Sequence, residues 1–221
     1  MEKFELLYSV LSSLHRAGIL ADCVLIGSWC QDFYRHKYNN PFQIPAVTTT
    51  DADLLIPKRI KFKKHVDIPA IMEDNGFKVE QERTSSLMKF IHEDFKFEFL
   101  TEAGAKPTET VHWFKNLNLN AQELHFMNIP LAYNFVMPFR DIEVRIPEPE
   151  AFALHKLIIS QRRLKPEKKE KDTETARGMF EFIATQPQCQ KRLKEIIEEF
   201  PKGWWKRIDE ALRATNIELP V

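Results

Sequence analysis

The chain has 221 residues, 43% of them hydrophobic, and its 32 basic and 32 acidic residues cancel, so it can bury a good core but carries no global field that would gather nucleic acid. It contains no apolar stretch of membrane-spanning length, and its first residues, MEKFELLYSVLSSLHRAG, lack the basic-then-apolar order of a secretory leader. Cys23, Cys30 and Cys189 are odd in number and lack metal-ligand spacing, which points to reduced thiols and a cytoplasmic location.

Residues 2–17 read as an amphipathic helix with Phe4, Leu7, Leu11 and Leu14 on one stripe, ended by Gly18. The apolar run CVLIGS suggests a strand over about 23–26 that stops at Gly27-Ser28, and WCQDFYRH then opens a helix over about 29–37. YNNPFQIPAV reads as a loop leading to a strand at about 51–56, which Pro57 ends. The basic run KRIKFKK, residues 58–64, is most simply a solvated turn; otherwise Lys58 or Arg59 would meet a triphosphate or nucleic acid there. HVDIPAIMEDNGF suggests a helix closing near Asn75-Gly76. Short strands follow in GFKVEQE, SLMKFIH and FKFEFLT, with Glu93-Asp94 turning the last hairpin. The region 104–140, broken by three prolines, suits sheet edges and loops better than one helix. DIEVRIP is a further strand, and Pro147 with Pro149 marks the border between a domain of residues 1–146 and a helical region of residues 147–221. In that region PEPEAFALHKLIISQRR and KKEKDTETARGMFEFI are helical, the polar stretch PEKKEKD lies between them, and Trp204-Trp205 packs a terminal helix.

The chemistry concentrates in TTDADLLIP. Alternation along a strand puts Asp51 and Asp53 on one face and Ala52 and Leu54 on the other. Two carboxylates that close repel, and a divalent cation such as Mg²⁺ or Mn²⁺ relieves the repulsion. Asp-x-Asp also arises by chance on exposed strand edges, so the pair alone does not define a site. Upstream, Gly27-Ser28 between a strand and a helix start makes a phosphate cradle: Gly27 lets backbone approach, Ser28 can cap, and the helix N-terminus offers free N–H groups. The same two residues also suffice for a plain strand-to-helix turn. No histidine has zinc-protease spacing, and no Ser or Cys sits in a nucleophile elbow.

The Gly-Ser turn followed by T-x-D-x-D resembles the signature of the polymerase-β-like nucleotidyltransferase superfamily, and is most similar to its AbiEii-toxin-like and uncharacterised bacterial members. By motif the resemblance runs through residues 20–100. It implies an α+β (α/β-like) fold, with a mixed central sheet flanked by helices and a C-terminal helical region. It also implies transfer of a nucleoside monophosphate from a nucleoside triphosphate such as ATP to a hydroxyl, with release of pyrophosphate. A third carboxylate is expected on a neighbouring strand, and Glu98 in FKFEFLT matches: Phe95, Phe97 and Phe99 alternate onto one face, leaving Lys96 and Glu98 on the other. Asp51, Asp53 and Glu98 would then hold Mg²⁺ or Mn²⁺, and Gly27 and Ser28 the phosphates. In the helical segment the matching positions are Lys156 and Lys171-Asp172, with Lys156 meeting the phosphates and Asp172 anchoring the helix or orienting that lysine. A helix lysine otherwise lies in water with its stem over apolar neighbours, and an aspartate near a helix start is favoured in any case.

The acceptor stays open between a tRNA end, a protein hydroxyl and a small molecule such as an aminoglycoside, and the toxin-like resemblance adds an antitoxin partner. Two other readings stand beside this one. One is an Asp-x-Asp glycosyltransferase gripping a nucleotide sugar; the other is a non-catalytic nucleotide-binding protein of the same fold.

Overall fold

The computed structural model describes residues 3–39, 44, 49–93, 95–104 and 110–221, so most of the expected loop in YNNPFQIPAV and Asp94 of the expected hairpin turn lie outside the described residues. The chain divides into two compact units, Met1–Cys30 with Thr48–Ile146 and Gln31–Val47 with Pro147–Val221. A single border at 146/147 is therefore only part of the division, because residues 31–47 group with the C-terminal helices.

The first unit opens with α1 (Lys3–Arg16), which buries Leu6, Leu7, Val10, Leu11 and Leu14. Phe4 is a correction to the expected stripe: it is 41% exposed and lies edge-on to Phe139 instead. Leu6 and Val10 complete a face about 100° wide that a single i, i+4 row does not describe. The mixed sheet that follows is built on β1 (Val24–Ile26), β2 (Asp51–Leu55), β3 (Lys78–Gln81), β4 (Met88–His92), β5 (Phe95–Glu102), β6 (Val111–Phe114) and β7 (Leu119–Leu124). The path runs β1-β2-β5-β4-β3, with β7 against the later residues of β5 and β6 beyond it. β2 and β7 pair parallel with β5, while the β1/β2, β3/β4, β4/β5 and β6/β7 pairs are antiparallel.

Strand β5 organises this unit because its side chains separate cleanly by face. Phe95, Phe97 and Phe99 are buried, whereas Lys96 is exposed and Glu98 half-buried. Phe77 meets Phe95 and Phe97 with ring centroids 6.2 and 6.4 Å apart, and Phe90 meets Phe99 at 5.4 Å. Each such ring contributes about 1.5–3 kcal/mol through burial, so the phenylalanines fix which face of β5 turns inward. Helix α3 (Ile68–Asp74) starts at Asp67, whose carboxylate accepts from the Ala70 N–H, and ends at Asn75-Gly76 as expected. The Asn75 side chain donates to Ser13 at 3.2 Å and accepts from Ser9 at 2.6 Å, tying α3 to α1.

In the region 104–140, β6 is an edge but β7 is not, since it sits between β5 and β6. The five-residue helix α4 (Asn128–Ala132) carries Pro130 and is too short to show a period. β8 (Asn134–Phe139) and β9 (Ile142–Pro147) form a separate hairpin, joined to α1 by the Arg140–Glu5 ion pair and the Tyr8–Asp141 hydrogen bond.

Helix α2 (Trp29–Lys37) begins in the first unit and continues into the second. The second unit centres on α5 (Pro149–Ser160), buried at every position except Ile159. Around it lie α6 (Pro166–Ala184), α7 (Pro187–Glu199) and α8 (Lys202–Thr215). A helix buried on all sides belongs inside a bundle. PEKKEKD is not a spacer between helices, as expected, but the first two turns of α6, with Pro166 at its start. Among the described residues no helix is long and apolar enough to cross a membrane.

Candidate active site

The site in the first unit is built where β1 ends beside β2. Gly27 adopts φ +82°, and a Cβ there would lie 2.5 Å from Asp53 Oδ2. Glycine is thus required twice, for its backbone conformation and for the close approach of the Asp53 carboxylate. Ser28 precedes the first residue of α2, and the Cys30 N–H donates to the Gly27 carbonyl at 3.3 Å as the chain turns into the helix.

Asp51 is fixed from both sides. Trp29 Nε1 donates to the Asp51 carbonyl at 3.0 Å, linking the start of α2 to the start of β2. The Thr49 hydroxyl donates to Asp51 Oδ1 at 2.6 Å, and the Asp51 N–H points back to the same hydroxyl at 3.4 Å. Trp29 was not singled out from the sequence, and Thr49 entered only as the first residue of T-x-D-x-D, although a threonine two residues before an aspartate is the signal of such a local turn.

The parallel register then supplies the third acid. Asp53 pairs with Glu98 and Asp51 with Lys96 across β2 and β5. Strands lie about 4.8 Å apart, so Asp53 and Glu98 are direct neighbours on the face that also carries Asp51 and Lys96. Ala52, Leu54, Phe97 and Phe99 hold the opposite, buried face. Carboxylates opposite one another repel. Further along the same face, Val24, Ile26, Leu55, Leu100 and Met127 form a buried apolar cluster with Leu124 and Leu131 against it. Among the described residues no three His, Cys, Asp or Glu side chains stand grouped as a metal cage; the register brings the three acids to one face without drawing them into one shell.

Cations near this face are partly committed. Lys89 pairs with Glu82; that hydrogen bond raises its pKa, with Glu98 adding a smaller push in the same direction. At Lys58 the basic run after β2 is not simply a solvated turn, and the alternative contact with a triphosphate or nucleic acid would compete with bonds this residue already makes. Its ammonium lies 2.6 Å from Glu123 and its N–H donates to Glu102 at 3.1 Å. It also follows the end of β2 away from Asp51, about 13 Å of strand further on.

In the second unit, Lys156 Nζ donates to Asp172 Oδ1 at 2.7 Å, and Arg163 Nε donates to Asp172 Oδ2 at 2.6 Å. Lys156 is buried rather than solvated, and Asp172 stands past the first turn of α6, where helix-start electrostatics have faded. Burial alone would raise the Asp172 pKa, but Lys156 and Arg163 outweigh it and hold the carboxyl below its ordinary value. Next to Lys156, His155 is buried, and among the described residues its Nε2 has no hydrogen-bond partner. Burial, then the Lys156 charge, pushes its imidazole down to about 3.

Over residues 5–200 the sequence matches the family described as nucleotidyltransferase, and the chain belongs to that family. Its general activity is nucleotidyl transfer, so of the two transferase readings of Asp-x-Asp the family decides for nucleotides over sugars. No curated protein matches the chain. Among solved structures, the solution structure of the antibiotic-resistance factor ANT(2'')-Ia is 15% identical, with 97% of this chain and 95% of that one covered and a TM-score of 0.49. The crystal structure of ANT(2'')-Ia with adenylyl-2''-tobramycin is 14% identical, covering 89% and 95% with a TM-score of 0.48. An antigenic nucleotidyltransferase-like protein from Paracoccidioides brasiliensis is 16% identical, covering 96% and 94% with a TM-score of 0.41.

Proposed function

We propose that the acid face of the first unit moves a nucleoside monophosphate from a nucleoside triphosphate to a hydroxyl acceptor in a reaction that depends on Mg²⁺ or Mn²⁺. The observation that supports this best is the Asp53–Glu98 register pair lying against a glycine whose missing Cβ leaves room beside Asp53. Carboxylate oxygens suit these hard cations, and Asp51, Asp53 and Glu98 would hold them. When bound, the ion draws charge from the phosphate oxygens and acidifies the acceptor hydroxyl.

The remaining steps belong to the chain. Gly27, Ser28 and the start of α2 present N–H groups to the phosphates. Glu98 takes the proton of the acceptor hydroxyl as its oxygen bonds to the α-phosphorus. The bond from that phosphorus to the bridging oxygen breaks, and pyrophosphate leaves with the electron pair. The resemblance adds Lys156 as a phosphate contact oriented by Asp172, and the bond between those two residues is compatible with it.

The test is incorporation of α-labelled nucleotide from each of the four triphosphates into cellular RNA, protein and small-molecule fractions. One fraction is expected to take label, and Asp51→Ala and Asp53→Ala are expected to reduce it to background with unchanged circular dichroism. Full activity in both variants, with either metal, defeats the proposal. Triphosphate binding without pyrophosphate release from any fraction favours the non-catalytic reading. A toxin-type role predicts growth arrest on expression that the same variants relieve; normal growth argues against it and against an antitoxin partner.

A further inference from the structure

Lys96 is the cation that the β2–β5 register places among the acids. It pairs with Asp51 in the step next to Asp53–Glu98. Alternation along β5 puts its side chain on the face of Glu98, and it is exposed. A lysine beside a carboxylate would ordinarily close an ion pair, and here it does not: Asp51 accepts instead from the Thr49 hydroxyl. Among the described residues the Lys96 ammonium has no ion-pair or hydrogen-bond partner. Lys89, the other lysine near Glu98, is held by Glu82.

Three carboxylates on one face repel a triphosphate, and a cation offsets part of that repulsion only if it stays available. An ammonium already engaged by Asp51 would have to be released before it could serve an incoming anion. Lys96 is spared that exchange because a neutral hydroxyl satisfies the carboxylate beside it.

We propose that Lys96 is a phosphate-binding residue of this site, taking the non-reacting phosphates of the nucleoside triphosphate donor. The proposal rests on the reading of the acid face given above. A charge-assisted contact from a flexible lysine suits phosphate oxygens that are not displaced in the reaction.

Calorimetry with the α,β-methylene triphosphates of the four bases, and with the matching monophosphates, tests it in the presence of Mg²⁺. Lys96→Ala is expected to weaken binding of the preferred triphosphate roughly ten- to a hundredfold while leaving the monophosphate unchanged, and Lys96→Arg to recover most of the loss. The residue is exposed, so an unaltered melting temperature should accompany the change. Equal triphosphate affinity in wild type and Lys96→Ala, or equal losses for triphosphate and monophosphate, overturns the assignment of Lys96 alone. Failure of the wild-type protein to bind any triphosphate overturns the reading of the acid face as well.

Discussion

Gly27 shows how a single missing methyl group is demanded twice. Gly27→Ala must hold a side chain at φ +82° and push Asp53 Oδ2 away from 2.5 Å. We expect a loss of about 1–3 kcal/mol in urea unfolding, together with loss of triphosphate binding by calorimetry. The importance of Gly27 was legible from its place between an apolar run and a helix, but its contact with Asp53 depends on the β1–β2 register, which no local pattern encodes. His155 lies at the opposite extreme, because nothing in PEAFALHK marks a histidine that is buried and whose Nε2 finds no partner among the described residues. Its imidazole titrates at about 3 in the folded chain and near 6.5 when unfolded. The unfolded state therefore takes up the proton first as pH falls. The stability this residue contributes is complete above about pH 6.5 and is lost toward pH 3, at up to about 1.4 kcal/mol per pH unit. Urea midpoints measured from pH 7 to pH 4 should fall less steeply for His155→Leu than for wild type.

Strands were the most readable elements, and β5 most of all, because FKFEF alternates apolar and polar residues over its first five positions. β5 is flanked on one side by β2 and on the other by β4 and β7. Its amides are expected to exchange hydrogen more slowly than those of the edge strand β3, as peptide-resolved mass spectrometry would show. Helices were readable unevenly: α5 was expected as a helix although it is buried nearly all round, whereas the beginning of α6 was not recognised. The start of α6 is exposed on nearly every side until Asp172, so its composition imitates a linker. Asp172 and Lys156 come from different helices, and only the family resemblance linked them in advance. Removing Asp172 leaves Lys156 buried against no carboxylate. Asp172→Ala is expected to cost about 3 kcal/mol by thermal or urea denaturation, and a variant as stable as wild type would show that the pair contributes little.

For the molecule as a whole, the equal count of 32 basic and 32 acidic residues gives no net charge at neutral pH. Solubility in precipitant titrations should therefore pass through a minimum near pH 7 and rise on either side. The same balance explains why the acceptor was not legible: carboxylates that assist one hydroxyl assist another, and no overall charge selects a nucleic acid. The direction of β2 and β5 carries a different consequence, concerning the order in which this enzyme comes into being. Parallel neighbours cannot be joined by a tight turn, so α3, β3 and β4 must be synthesised before Glu98 can stand beside Asp53. A ribosome that stalls early, or a protease that cuts ahead of β5, leaves a fragment with both aspartates and no third acid. On the proposed reading of the acid face, nucleotidyl transfer awaits the insertion of this middle strand, and unfinished copies of the chain are expected to be chemically silent.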